Sequence, residues 1–170
     1  SEKVGEFSKG DIDEKELKKY IGKVDKKGTY FRWKIHYTQK ELTRIVNQKC
    51  GTSFVSIRSL KPHKRGISGR ITNLTISGLE NKNIRSLQLD SEYKIRDALH
   101  PEFLYSSAFI IILDLDDSQI IKSITLKGAG WGHGVGLCQI GALGMALEHK
   151  TSSEILTHYF PSTKIEKMYD

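Results

Sequence analysis

The sequence predicts an α+β fold made mostly of antiparallel strands, with short capped helices and a glycine-rich loop near the C-terminus. Alternating apolar and polar residues indicate half-buried strands, most clearly from Phe31 to Tyr37. Two Thr-x-x-Glu capping boxes, opened by Thr38 and Thr151, indicate helix starts. Strands and helices are intermixed along the chain, which is the order typical of this class.

The first half of the chain contains most of the predicted strands. A strand over 31–37 leads into a helix that Thr38 caps, with Glu41 at its third position, and that ends at Cys50 and Gly51. The remaining predicted elements are strands over 54–60, 69–77 and 84–89, a basic loop around Pro62 and Gly66, a turn at 81–83, and a helix over 91–99 that Pro101 ends.

The second half begins with a predicted hairpin. Its strands cover 108–115 and 120–127, and the Asp116-Asp117-Ser118 segment between them has the composition of a turn. Helices are then predicted over 142–149 and from Thr151 to just before Pro161.

The chain divides into three parts by composition. Residues 1–28 form a charged tail or the remnant of an upstream segment, with a short helix possible only near 12–21. A strand–helix–strand part covers 29–100, and 101–170 contains the hairpin, the glycine-rich loop and the last helices. We expect 29–170 to pack as one unit. No apolar run reaches the roughly 20 residues of a membrane span, and no apolar signal-peptide core follows Ser1.

The net charge is +7, from 27 Lys and Arg against 20 Asp and Glu. Nucleic acid is the obvious partner of a basic patch, but the basic cluster of this chain has no interleaved aromatic residues for base stacking. A solvated loop is therefore favoured over a nucleic-acid site, and an anionic cell-wall polymer also fits. The cluster lacks acidic residues and consists of Arg58, Lys61, His63, Lys64, Arg65 and Arg70.

The two cysteines, Cys50 and Cys138, lie far apart in sequence. Two cysteines make neither a disulfide framework nor a metal site by themselves. The sequence therefore indicates no cofactor.

Seven of the fifteen glycines lie between Gly128 and Gly144. Glycine destabilises regular helix or strand by roughly 0.5–1 kcal/mol relative to alanine, so alternating glycines from 128 to 136 predict positive φ angles or close backbone approach. Trp131 and His133 are flanked there by residues without side chains. This pattern would suit a polar, flat-faced ligand such as a sugar.

Three other interpretations of this segment remain open. The spacing does not match a nucleotide-binding G-x-G-x-x-G loop, and no Gly-Lys-Ser/Thr follows. Glycine could merely let strands pack closely, with Trp131 and His133 in the core. Cys138 and His133 could form a thiol nucleophile and its base, although the loop contains no acid to orient the imidazole.

Residues 130–142, Gly-Trp-Gly-His-Gly-Val-Gly-Leu-Cys-Gln-Ile-Gly-Ala, resemble the G-W-G-H-G-V-G-M-S-Q-Y-G-A signature of the SpoIID/LytB family. Residues 153–163 are similar to its closing E-I-L-x-H-Y-Y-P-G-T helix. The likeness extends in order over 29–170 and includes the aromatic strand and helix at 31–42, the S-G-R strand start at 68–70 and the F-R-x-A-L-G stretch at 95–99.

The resemblance implies an extracytoplasmic lytic transglycosylase that cleaves peptidoglycan strands stripped of stem peptides. The implied partners are glycan strands and, for LytB-type members, a cell-wall amidase. The catalytic glutamate and the zinc-binding cluster of some members lie N-terminal to everything matched here, so the resemblance assigns no catalytic residue and no metal. We expect a C-terminal fragment without that acid or, alternatively, a non-catalytic glycan-binding or amidase-enhancing module.

Trp131 and His133 are predicted to contact sugar or to support the catalytic acid, and Gln139 is the next hydrogen-bonding candidate. Leu137-Cys138 and Ile140 replace the family's commoner Met-Ser and Tyr, which argues against a hydroxyl role at those positions. The other predicted substrate-binding residues are the backbone-shaping Gly130, Gly132, Gly134 and Gly136, and two arginines at family positions, Arg70 and Arg96.

Overall fold

Two three-stranded antiparallel sheets and four short helices make up residues 32–168, the part of the chain that the computed structural model describes. This confirms the predicted α+β class. In chain order the elements are β1 (Trp33–Thr38), α1 (Gln39–Cys50), β2 (Ser56–Arg65), β3 (Ile71–Glu80), β4 (Asn83–Leu89), α2 (Glu92–Ala98), β5 (Phe109–Leu115), β6 (Ile121–Gly128), α3 (Gln139–Leu147) and α4 (Ser152–Tyr159).

The two sheets have different topologies. The strands β2, β3 and β4 form a meander in chain order, whereas the other sheet has the order β1-β6-β5. The β1–β6 pairing places Trp33 opposite Gly128, at the point where the glycine-rich segment begins. The predicted tail over 1–28 and the Phe31 end of the first predicted strand lie outside the described residues.

The predicted helix caps are confirmed. Thr38 and Glu41 form a complete capping box at the start of α1, and Gly51 ends that helix in the left-handed conformation with φ of 65°. Thr151 and Glu154 form the same box at α4. Hydrogen bonds from the threonine backbone and hydroxyl lower the pKa of both glutamates, so both carboxylates are committed to the caps.

Both predicted hairpin turns are also confirmed. Asn81 and Lys82 have φ of 48° and 66°, as a two-residue turn between twisted strands requires at both positions. In the β5–β6 turn, the Asp116 carboxylate accepts from the backbone N–H groups of Ser118 and Ile120 at 2.9 and 2.8 Å. Short polar side chains therefore supply the turn geometry that their positions predicted.

The prediction of a basic loop around Pro62 was wrong. Strand β2 continues through Pro62 to Arg65, pairing with β3 and shifting register at three places. Pro62 is tolerated because β2 is an edge strand with β3 on one side. The basic residues 58–65 therefore lie on a sheet.

The core fills the space between the sheets and helices α1 and α2, and its most deeply buried side chains include Leu42, Leu74, Phe109 and Leu126. Arg65 is buried as well, and its Nη1 and Nη2 donate to the carbonyls of Gly69 and Phe109, both at 2.8 Å. The guanidinium thus links β2 to β5 in the other sheet.

Helix α3 begins at Gln139, three residues before the predicted start at 142. The reason is an unusual N-cap, because Cys138 Sγ accepts from the Gly141 N–H at 3.4 Å. Gly141 lies directly under the Tyr159 hydroxyl, where a side chain would clash. This contact helps to pack α3 on α4. Within the described residues, no helix is long and apolar enough to cross a membrane.

Because the Tyr37 hydroxyl is buried, we expect the folded state to lose stability at alkaline pH. Its buried hydroxyl donates to the Leu99 carbonyl at 3.0 Å, and burial raises its pKa to about 12, with smaller contributions from Tyr105 and Glu41. An unfolded tyrosine ionises near pH ~10, so this contribution should be complete below about pH 10 and lost as the pH rises to about 12. Denaturant unfolding across this window should show a smaller decline for Tyr37→Phe. Equal declines in the two proteins would contradict the assignment.

Candidate glycan-contacting loop

The segment between β6 and α3, residues 129–138, is called the glycine loop below. Its four glycines, at 130, 132, 134 and 136, have φ between 71° and 95°. Residues with a Cβ rarely adopt such angles. The predicted positive φ angles are therefore confirmed, and glycine is required here by the backbone.

The first half of the glycine loop is fixed to the segment 105–108. The Ala129 N–H donates to the Ala108 carbonyl at 3.0 Å, and the Gly132 N–H donates to the Tyr105 carbonyl at 2.8 Å. Ser106 is fully buried and its hydroxyl donates to the Ala129 carbonyl at 2.8 Å. These bonds place the loop beside the sheet rather than leaving it as a free connection.

Trp33 is the second anchor. Its Nε1 donates to the Gly130 carbonyl at 3.1 Å, and its ring lies directly over Gly128, with no space for a side chain there. Tyr105 packs against the same indole edge-on, with ring centroids 5.6 Å apart. Gly128 therefore serves close packing, whereas the next four glycines serve backbone conformation.

Arg70 lies on the inner side of the glycine loop. Its Nε donates to the Gly132 carbonyl at 3.1 Å, and its guanidinium lies so close to Gly134 that a side chain there would overlap it. Within residues 32–168, Nη1 and Nη2 of Arg70 make no hydrogen bond. Burial lowers the pKa of Arg70, but a guanidinium remains charged at neutral pH. The glycine loop therefore lies against a cation whose Nη1 and Nη2 donors have no hydrogen-bond partner within residues 32–168.

The residues between the glycines all face solvent. Trp131 is 66% exposed and Val135 75%, and His133 and Leu137 are exposed as well. The packing interpretation, which placed Trp131 and His133 in the core, is therefore wrong. The exposed indole and aliphatic side chains of residues 131–137 are called the ridge below.

His133 has a defined orientation within the loop. Its Nδ1 accepts from the Val135 N–H at 3.0 Å. In the neutral ring the proton is then on Nε2, which leaves Nε2 as a donor on an exposed side chain. The geometry gives Cys138 a different role from a catalytic thiol, because its sulfur caps α3.

The structure brings some predicted residues together and places others apart from the ridge. Gln139 is exposed as the first residue of α3, directly after the loop. Arg96 is buried in α2, where its Nε donates to the Leu104 carbonyl at 2.8 Å and its guanidinium lies over the Phe103 ring. Its contacts position the chain just before the loop's anchoring segment.

Sequence reasoning missed the residues that hold the loop. Trp33, Tyr105 and Ser106 are distant in sequence from the glycines, and they approach them only because β1 and β5 both pair with β6. The alternation around Trp33 indicated that its side chain faces inward, but it did not indicate which residues that side chain contacts. No local signal marked Ser106.

The glycine loop contains no carboxylate, since residues 128–147 include no aspartate or glutamate. Across the part of the chain that the structure describes, no group of three or more His, Cys, Asp or Glu side chains is placed to hold a metal ion. The ridge can therefore offer stacking surface and hydrogen-bond donors.

Known proteins are similar to this chain over limited stretches. An uncharacterized protein of Brachyspira hyodysenteriae (strain ATCC 49526 / WA1) is 36% identical over 98 residues, which is 58% of this chain and 23% of that protein. Stage II sporulation protein D of Bacillus subtilis (strain 168) is 44% identical over 45 residues, which is 26% of this chain and 13% of that protein. The aligned stretches thus cover less than a quarter of either relative.

A family match covers much more of the chain. The family described as Domain of unknown function (DUF8618) matches residues 4–136, from the N-terminal part to the last loop glycine with positive φ. Because this match spans more than half of the 170 residues, the chain belongs to the family described as Domain of unknown function (DUF8618).

Proposed function

We propose that this chain supplies a glycan-contacting wall of an extracytoplasmic, SpoIID-like lytic transglycosylase that cleaves peptide-free peptidoglycan strands. The observation that carries the proposal is the exposed indole of Trp131 and imidazole of His133 on a backbone of glycines. The partial similarity to stage II sporulation protein D supports the same proposal.

Sugar rings suit this surface for physical reasons. An indole face packs against the C–H face of a pyranose and removes apolar area from water. The Nε2–H of His133 and the unused Nη groups of Arg70 are donors for sugar hydroxyls. Glycines on both sides of Trp131 leave room for a bulky strand to approach the ring.

The reaction itself needs an acid from outside the loop. One carboxylic acid protonates the glycosidic oxygen as its bond to the anomeric carbon breaks, and the sugar's own 6-hydroxyl then bonds to that carbon and loses its proton. A general acid requires a pKa near the working pH, whereas the caps lower the pKa of Glu41 and Glu154. We expect this chain alone to bind glycan without cutting it.

The second candidate is a non-catalytic glycan-binding or amidase-enhancing module. The loop's lack of any carboxylate favours it, since binding alone needs only the ridge and its donors. Mass analysis of peptide-free strands after incubation with this chain tests an expectation that both candidates share, namely that the chain alone does not cut glycan. Anhydro ends formed by this chain alone would show that it contains a catalytic acid after all, and would contradict both candidates.

The binding test uses amidase-treated sacculi and Trp131→Ala. We expect about a tenfold loss of affinity, equivalent to ~1.4 kcal/mol, because the stacking surface is removed. Tyr93→Ala is the matched control, since Tyr93 is an aromatic residue of α2 that is 64% exposed. Circular dichroism should show both variants folded. Equal losses in the two variants, or none in Trp131→Ala, would reject the ridge as the glycan contact.

A further inference from the structure

The outer surface of the sheet β2-β3-β4 is a second candidate binding surface. Register places Ser59 opposite Ser77, and Ser77 opposite Ser86 on the next strand. The neighbouring core-facing residues, such as Ile76, are fully buried, so these serines face outward. We call this surface the polar sheet face; its other polar members by register are Lys61, Lys64, Asn73, Thr75 and Gln88, and the apolar pair Leu79 and Ile84 lies at one end of it.

A β-bulge at His63 places two positive charges on the polar sheet face. Side chains alternate faces along a regular strand, so residues three apart such as Lys61 and Lys64 would point to opposite sides. The register shift between Pro62 and Lys64 inserts one extra residue, so that Lys61 lies opposite Thr75 and Lys64 opposite Asn73. Both lysines therefore share the polar sheet face, and bulges commonly re-aim side chains in this way.

Within residues 32–168, no side chain neutralises these cations. The side chains of Lys61 and Lys64, and of Arg58 on the same strand, make no ion pair or hydrogen bond with those residues. The outward positions of the three strands contain no carboxylate. Asp90, just beyond β4, already forms an ion pair with Lys94, whose Nζ lies 2.8 Å from Asp90 Oδ1.

The other polar groups of this surface offer hydrogen bonds. Ser77 and Ser86 hydroxyls lie 2.9 Å apart, and His63 Nε2 lies 2.9 Å from the Thr75 hydroxyl. Hydroxyl and amide groups suit phosphate and alcohol oxygens. No Phe, Tyr or Trp occupies an outward position of β2, β3 or β4, and the imidazole of His63 is engaged with Thr75, so the face offers little ring surface for stacking a nucleobase.

We propose that the polar sheet face binds a flexible, base-free phosphodiester polymer such as poly(glycerol phosphate). Lysines spaced along one edge strand match repeating phosphates, and the serine and glutamine groups match the polyol between them. Nucleic acid shares the phosphates, but its bases would find no Phe, Tyr or Trp ring there to stack on. This surface belongs to a different sheet from the glycine loop's, and it does not depend on glycan binding there.

The test is fluorescence anisotropy with labelled poly(glycerol phosphate). Affinity should fall steeply between about 50 and about 200 mM salt, and Lys61→Gln/Lys64→Gln should weaken binding about tenfold and flatten the salt dependence. Lys34→Gln/Lys122→Gln removes the same charge from exposed positions on the β1-β6-β5 sheet and should change affinity by less than about threefold.

Three results would overturn the proposal. Equal weakening by both double variants would reduce it to a net-charge effect. Tighter binding of single-stranded DNA of equal charge would make the surface a nucleic-acid site. Undiminished binding by a folded Lys61→Gln/Lys64→Gln protein, verified by circular dichroism, would place the polymer elsewhere on the chain.

Discussion

Replacing Gly128 with alanine should destabilise the fold by about 3 kcal/mol, because the new methyl group would overlap the Trp33 ring. Trp33 cannot move aside cheaply. It is 9% exposed, packs against Tyr105 and Phe109, and donates to the Gly130 carbonyl. Urea unfolding should show the loss as a lower midpoint with an unchanged slope.

Two comparisons isolate the cause. Gly66→Ala is the control, since its methyl would meet Thr72 Cγ2 at an ordinary 3.8 Å, and it should change stability by no more than about 1 kcal/mol. In a Trp33→Leu background, the loss of folding stability caused by Gly128→Ala should fall to no more than about 1 kcal/mol. A Gly128→Ala cost that persists without the indole would show that the crowding has another source.

Among single glycine-to-alanine substitutions in the glycine loop, Gly134→Ala should be the most disruptive. It combines left-handed strain, about 1–2 kcal/mol for a residue with a Cβ, with displacement of the Arg70 guanidinium. The Gly132 amide, which donates to Tyr105, reports local opening through hydrogen exchange. We expect its protection to fall about a hundredfold.

Gly130→Ala separates strain from crowding. Its φ of 71° nearly equals the 72° of Gly134, but its methyl would lie 3.7 Å from Arg70 Nη2, an ordinary contact. Its effect should therefore be the smaller one. In an Arg70→Ala background the two alanine variants should become equivalent, and a persistent excess for Gly134→Ala would disprove the role assigned to the guanidinium.

Much of the local structure was predictable because its causes are local. A threonine and a glutamate three residues apart satisfy each other's backbone groups, so the caps at Thr38 and Thr151 required no tertiary information. Asn81 accepts positive φ in a tight turn, and the loop glycines accept it more readily still. Each of these predictions depended on residues only a few positions apart in the chain.

The misplaced elements had non-local causes. Strand β2 extends past Pro62 because β3 provides partners on one side and Pro62 loses nothing by lacking an N–H on an edge strand. Helix α3 starts early because a cysteine sulfur caps it, which composition did not suggest. The outward pairing of Lys61 with Lys64 required the bulge at His63, which only the register shows.

By itself, the sequence determined where helices begin, where the chain turns and which backbone positions must be glycine, since these depend on φ preferences and hydrogen bonds within a few residues. Only the tertiary structure decided that Trp131 and His133 face solvent, that Trp33 and Arg70 support the loop around them, and that two lysines share one sheet face. Those outcomes depend on which strands pair and in what register. Strand pairing brings distant parts of the chain together, and it allows the side chain of Trp33 to bond to Gly130, 97 positions away.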